Sequence, residues 1–230
     1  MRPSDLPEIR QLPLFNGMRQ DCFDRLMLAA YVQHFPQGLT MIHQGDPADF
    51  LFILLDGQVE LFASWDDHET TMTVLRPIGT FILAASIRDA PYLMSARTLE
   101  RSRIMMIPST NLRATFQEDS AFAMAIIHEL AGCYRAVVRH AKGLKLRTSR
   151  ERIAAYLLRQ AQVAGDVRSF VLPIEKRLLA SYLGMTAENL SRAMKSLWDD
   201  GLKVDGSRVI LTDPDKLGLV AKLVVLIDGG

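Results

Sequence analysis

Near residue 108 the hydrophobic pattern of this chain changes period, which rules out a fold built from one kind of secondary structure. Upstream, from about 31 to 107, short apolar runs alternate with turn residues. The runs are Phe50 to Leu55, Val59 to Ala63, Met72 to Leu75, Phe81 to Leu83 and Ile104 to Ile107, and Gly38, Gly45, Gly57 and Gly79 punctuate them. Short strands at near-regular spacing predict an antiparallel barrel or sandwich. Asp56-Gly57 between two runs is a hairpin signal, and Asp66-Asp67-His68 marks another turn. Before the strands, residues of about 5–30 predict a short helical region through Phe23, Leu26, Met27 and Ala30.

Downstream the spacing is helical. Ser109 is expected to cap a short helix ending near Gln117, and Asp119 or Ser120 to start a longer one. No proline interrupts the chain from there to Pro173. Phe122, Ile126, Leu130, Cys133 and Val137 follow steps of three or four, continued by Ala141 and Leu144. A stripe of that length exceeds what a small domain needs to cover its core, so it predicts a dimerisation helix over 119–147. Another helix follows Thr148 or Ser149 and ends at Gly165-Asp166. Three regions result: a strand-rich domain with flanking helices over 1–118, the dimerisation helix over 119–147, and a further domain over 148–230.

The last region carries the function. Leu178, Leu179 and Leu183 predict one short helix, with Ala180 small where two helices must approach. Gly184 supplies a tight turn, because it adopts positive φ without steric cost. Thr186 caps a second helix that buries Leu190, Met194 and Leu197, and Asn189 stands where a capping box would want Glu or Gln. This is a helix-turn-helix pattern. Glu188, Ser191, Arg192 and Lys195 fall on the opposite face of the second helix. In a major groove Arg grips guanine O6 and N7, Glu accepts from cytosine N4, and Ser suits a phosphate or a base edge. Lys176, Arg177 and Lys195 add phosphate contacts, and Thr186 at the head of the second helix is expected to meet DNA as well. Leu202 to Leu211 then reads as strand, turn, strand, like the wing of a winged helix-turn-helix.

Composition excludes other classes. Net charge is +1, from 27 Lys+Arg against 26 Asp+Glu, a balance inside which a basic patch can hide. Two distant cysteines, Cys22 and Cys133, form neither a disulfide framework nor a metal motif. No stretch reaches the roughly 18 uninterrupted apolar residues of a membrane span. Met1 to Gln11 carries charges and prolines, unlike a signal peptide. A cytoplasmic protein without membrane association is expected. No nucleophile–base constellation, phosphate loop or metal spacing points to an enzyme.

At this point the chain resembles the Crp/Fnr family of bacterial transcription regulators over nearly its full length. Two stretches carry the resemblance. The glycine-spaced run from Gly38 through Gly45 to Asp49, followed by Asp56-Gly57-Gln-Val-Glu60, resembles a cyclic-nucleotide-binding-type jelly-roll barrel. Glu188-Asn-Leu-Ser191-Arg192 has the Glu-x-x-Ser-Arg form of the Fnr branch. The implied fold is α+β: an N-terminal antiparallel barrel, the long helix and a C-terminal winged helix-turn-helix. The implied partners are a second copy of the chain, double-stranded DNA with a TTGAT…ATCAA palindrome, and RNA polymerase.

The departures are equally informative. A cyclic-AMP barrel needs Gly-Glu and then Arg-Ser for ribose and phosphate. Here Ala84 stands at the Glu position, Tyr92-Leu93 falls near the Arg-Ser position, and Val137-Val138 replaces the polar pair that meets the base. Arg88 and Arg97 do not match the missing positions. The sequence therefore argues against a cyclic nucleotide. An iron–sulfur cluster needs four cysteinyl ligands, and this chain has two cysteines. What remains resembles the nitrogen-oxide-responsive DNR and NnrR regulators of denitrification, which implies haem as the cofactor for nitric oxide sensing. Of His34, His43, His68, His128 and His140, none is marked out as an axial ligand. The competing reading is an effector-binding sensor module of the same fold with little or no DNA-binding role, against which the polar face over 188–195 speaks.

Overall fold

The computed structural model describes residues 5–228 and divides within the long helix into two compact units, the second starting at Tyr134. The first unit begins with α1 (Leu6–Arg10) and α2 (Gln20–Ala29), so the expected N-terminal helical region is two helices with a turn-rich link. Then come β1 (Tyr31–Phe35), β2 (Thr40–Ile42), β3 (Phe50–Asp56), β4 (Val59–Trp65), β5 (His68–Leu75) and β6 (Gly79–Phe81). A short helix α3 (Leu83–Arg88) precedes β7 (Ser95–Thr98), β8 (Ser102–Pro108), α4 (Ser109–Glu118) and α5 (Ser120–Leu146).

The strands form two four-stranded antiparallel sheets, ordered β1-β8-β3-β6 and β2-β7-β4-β5. They make the expected jelly-roll fold but do not close into a barrel. Two of the edge strands, β2 and β6, are three residues long, too short to carry a ladder across to the other sheet. The sheets instead share an apolar layer of Ile42, Phe52, Leu54, Val59, Leu61, Phe81, Ala96 and Ile104.

Strand β3 explains why its run is apolar throughout. Alternation sends Phe52 and Leu54 into that layer, and Leu51, Ile53 and Leu55 into a second core with α2, α4 and α5. A strand covered on both faces loses the polar alternation of a half-exposed one. At the β3–β4 turn Gly57 has φ +94°, and a Cβ there would come within 2.4 Å of Ser102 Oγ. Only glycine meets both conditions.

The two expected helix starts resolve differently. Ser109 is the first residue of α4 rather than its cap, with Pro108 at the cap position. The buried Ser109 hydroxyl instead donates to the Ala48 carbonyl at 2.6 Å. Asp119 does cap α5: its Oδ1 accepts from Phe122 N at 2.9 Å and its Oδ2 from Arg19 N at 2.8 Å. Burial alone would raise this carboxyl's pKa. The backbone N–H groups of Phe122, Arg19 and Ala121 outweigh that and hold it below its ordinary value.

The second unit holds the rest of α5, then α6 (Ser149–Val163), β9 (Ser169–Val171), α7 (Lys176–Tyr182), α8 (Ala187–Ser196), β10 (Leu202–Asp205), β11 (Arg208–Leu211), α9 (Pro214–Ala221) and α10 (Val225–Asp228). Its core gathers Leu157, Leu179, Leu190, Leu197, Val209 and Leu217, all fully buried. The expected hairpin is β10–β11, and β9 adds a third antiparallel strand. Helix α6 opens with a complete capping box: Thr148 Oγ1 accepts from Glu151 N, and Glu151 Oε2 accepts from Thr148 N at 2.7 Å.

Candidate nucleic-acid interface

Helices α7 and α8 are held by burial on one side only. Leu178, Leu179, Ala180 and Leu183 of the first, and Leu190, Met194 and Leu197 of the second and its exit, turn inward. Gly184 between them has φ +64°, as the tight turn requires, and its N–H donates to the Ser181 carbonyl at 2.9 Å. Thr186 then caps α8, its Oγ1 accepting from Asn189 N at 3.2 Å. That bond satisfies one of the free N–H groups at the helix start and fixes which way the helix points.

With Leu190 and Met194 anchored, the helical period leaves Glu188, Asn189, Ser191, Arg192 and Lys195 exposed on the other side. Arg192 Nη2 donates to Asn189 Oδ1 at 2.7 Å. This i, i+3 bond orients the guanidinium and leaves its other donors facing outward. Asn189, expected only as a departure from the capping box, thus also positions Arg192. Lys176 and Arg177 are exposed at the start of α7. All seven residues expected to meet DNA, including Thr186, therefore belong to one helix-turn-helix with their polar groups accessible. Two further candidates lie outside the expected set. Lys203 and Arg208 are exposed on the β10–β11 wing, where alternation buries Leu202, Val209 and Leu211 instead. Alternation along the predicted hairpin was the available signal for them.

The predicted dimerisation stripe is split by the structure. Phe122 and Ile126 are fully buried by their own chain, Phe122 with its ring stacked 6.0 Å from Phe15. They anchor α5 to the first unit and cannot meet a partner. Leu130 is half-buried against the same core. Cys133 is exposed, and Val137 is 66% exposed. The face left open runs Ile127, Leu130, Tyr134, Val137, Ala141, Leu144, with Tyr134 71% exposed. Its steps alternate three and four, the spacing of a helix that pairs along its length.

In the first unit, Ala84 is exposed on α3, and Tyr92 is buried with its hydroxyl 3.2 Å from the Phe50 carbonyl. Arg97 Nη2 lies 2.8 Å from Oε2 of the buried Glu60 and 3.7 Å from Glu69, and its guanidinium covers the Phe62 ring at 4.6 Å. Thr71 Oγ1 donates to the other Glu60 oxygen at 2.7 Å. Arg97 is thus matched internally, with no free charge for a phosphate. Thr80 of β6 donates to Glu129 of α5. His34, His43, His68 and His128 are all exposed. His140 belongs to the second unit. Among the described residues no cluster of His, Cys, Asp or Glu could hold a metal ion.

Comparison with known proteins agrees with this layout. Residues 32–119 match the family described as Cyclic nucleotide-binding domain, and residues 151–219 match Crp-like helix-turn-helix domain. The CRP-like cAMP-activated global transcriptional regulator of Mycobacterium tuberculosis is 23% identical over 215 residues, covering 91% of this chain and 96% of the relative. The transcriptional activator protein FnrA of Stutzerimonas stutzeri is 24% identical, covering 80% of this chain and 77% of its own. Among solved structures, FixK2 from Bradyrhizobium japonicum superposes with a TM-score of 0.73 at 21% identity, over 85% of this chain and 98% of that one.

Proposed function

Because the chain belongs to the Crp/Fnr family of transcription regulators, with a cyclic-nucleotide-binding-type sensor domain and a helix-turn-helix DNA-binding domain, we propose that it reads a TTGAT-type palindrome as a homodimer. The observation that carries this reading is the α8 face: Glu188, Ser191 and Arg192 exposed together, with Arg192 preset by Asn189. Arg192 would take guanine O6 and N7, Glu188 would accept from cytosine N4, and Ser191 would reach a base edge or phosphate. Lys176, Arg177 and Lys195, with Lys203 and Arg208 of the wing, supply phosphate contacts. Affinity therefore falls steeply with salt.

The homodimer forms along the open face of α5. The most apolar 18-residue window of that helix has a mean hydropathy of 1.4, yet only 11% of it is buried in one chain. Covering it with a second copy removes that surface from water. It also sets two copies of α8 one DNA turn apart, about 34 Å in the family's geometry. Contact with RNA polymerase completes the regulator's output.

The signal enters the first unit. A cyclic nucleotide is a poor fit there, since Glu60 already occupies Arg97 and no acidic residue stands at Ala84. Haem with nitric oxide is the input that the DNR/NnrR resemblance implies. The donor set does not favour it: the first unit's four histidines lie in water rather than in an apolar pocket, so no step is assigned to that group.

A gel-shift titration of the dimer on a TTGAT…ATCAA duplex and on a scrambled one tests the reading. Preferential binding to the palindrome is expected. Equal affinity for both would leave the alternative, a sensor module without a DNA-reading role. Titration with haem followed by nitric oxide, read by absorption, tests the input separately.

A further inference from the structure

A cavity of about 210 Å³ opens in the second unit where the C-terminal half of α5 meets α6 and the end of α7. Its walls carry Arg139, His140, Arg147, Arg152, Arg159 and Tyr182, while the small residues Ala136, Gly143 and Ala155 leave the space between them. The spacing is helical on both sides. Positions 136, 140 and 143 form one face of α5, with Arg147 just past its end, and 152, 155 and 159 form one face of α6. This face of α5 lies beside the open apolar stripe.

Four guanidinium groups line the cavity against one carboxylate, and that carboxylate is already engaged. Asp228 accepts from Arg147 Nη1 at 2.7 Å and Nη2 at 2.5 Å. Arg152 meets only uncharged acceptors. Its Nη1 donates to the carbonyls of Arg147 at 2.8 Å and Leu144 at 3.2 Å, and its buried Nε has no partner. Burial lowers its pKa, the direction expected of a guanidinium held out of water without a counter-charge. Arg159 is half-buried and makes neither a hydrogen bond nor an ion pair among the described residues. The His140 ring stacks on Tyr182 with centroids 4.4 Å apart at 20°. Burial first, then Arg159 and Arg152, depress the imidazole's pKa, which favours its neutral form with one donor and one acceptor.

Arg152 and Arg159, guanidinium groups without an ion-pair partner among the described residues, are costly in a concave, partly dry site unless an anion completes them. Their planar forks suit a phosphate better than a single carboxylate. We propose that this cavity binds a small free anion of the phosphate class and that its occupancy ties α5 to α6 across the Arg147–Thr148 junction. The backbone of DNA offers the same chemistry. However, α8 contributes no lining residue, so the cavity is separate from the reading face. The proposal does not depend on DNA recognition being correctly assigned.

The test is calorimetric titration of the full-length protein with pyrophosphate at constant ionic strength, without DNA. One saturable site per chain is expected. Arg159→Gln, which removes no bond within the described residues, and Arg139→Gln should each weaken it about tenfold or more, the effect of losing a charge-assisted contact. Arg192→Gln on α8 should leave it unchanged. Absence of saturable binding overturns the proposal, as does equal weakening by Arg192→Gln or indifference to both cavity variants. Loss of DNA affinity in Arg159→Gln without any pyrophosphate binding would assign these cations to the DNA backbone and overturn it too.

Discussion

In the first unit five of the nine described arginines pair with carboxylates of their own unit and only Arg76, Arg88 and Arg101 stand exposed without a bonded partner among the described residues, whereas in the second a whole row of cations is left unmatched. Arg97 pairs with Glu60, Arg103 with Glu8 and Asp5, Arg113 with Asp89, and Arg25 with Glu118. In the second unit Lys176, Arg177, Arg192, Lys195, Lys203 and Arg208 are exposed with no ion-pair partner among the described residues. The near-zero net charge of the chain averages over these two arrangements. An arginine held by a carboxylate of its own chain stabilises a fold and has little left for a ligand. A row of cations without counter-charges suits a polyanion. The difference teaches that nucleic-acid binding resides in one unit, and that the sensing unit cannot be read by the charge logic of a nucleotide site.

The largest expected effect breaks the reading face. Arg192→Ala removes a bidentate base contact worth about 1–3 kcal/mol, in both half-sites of a dimer. Discrimination against a scrambled palindrome should then fall on the order of 100-fold or more. Thermal unfolding and sedimentation should not change. Retained discrimination would show that α8 does not read the bases.

Next comes a pair of substitutions on α5 that separates anchoring from pairing. Phe122→Ala empties a fully buried site in the first unit and should cost about 3–5 kcal/mol of its stability. Val137→Glu places charge on the open face and should shift sedimentation to the monomer, with little change in the stability of either unit. A dimer that survives Val137→Glu would remove that face as the interface.

A third test asks whether the matched charges of the first unit are structural. Arg97→Ala leaves the buried Glu60 carboxylate with Thr71 as its remaining bonded partner. Loss of one partner of a buried pair costs about 3–5 kcal/mol, and the lower end applies because Arg97 is itself partly exposed. Denaturant unfolding should report the loss, while DNA affinity at temperatures where the variant is folded stays at the wild-type level. A variant as stable as the parent would make Arg97 a spare cation after all.

Where local chemistry decides a feature, it was legible in the chain. Asp56-Gly57 forces the β3–β4 turn, Gly184 forces the bend between α7 and α8, and the Leu190/Met194 spacing determines which face of α8 is left for DNA. Features set by long-range pairing were not legible. Glu60 and Arg97 lie 37 residues apart and meet only because β4 and β7 pair in register. Of the two short strands, β2 has no apolar run of its own, and the Phe81 to Leu83 run marks only the end of β6, because α3 starts at Leu83. On α5 the apolar residues cover more than one face, so spacing alone merged Phe122 and Ile126, which the first unit buries, with Val137, which it does not. Strand β9 is three residues long and shows no period.

The smallest predicted effect concerns a place where the second unit does match its charges. Glu151 closes the capping box of α6 and lies 2.6 Å from Lys222. The Lys222 ammonium and then the Thr148 N–H lower its pKa from the ordinary 4.5 to about 2. A carboxylate whose pKa is depressed on folding adds stability above its unfolded value and loses it as pH falls toward the folded one. Its contribution is therefore complete at pH 7 and disappears between about 4.5 and 2. Thr148→Ala removes the hydroxyl of the same cap and should cost about 1 kcal/mol at neutral pH. Glu151→Gln should be less stable than the parent at pH 7, and the gap should narrow steadily below pH 4.5 in a urea-unfolding series. A gap independent of pH would assign the effect to helix propensity. In that case Lys222 would join the unmatched cations of its unit, and the contrast between the two units would become sharper still.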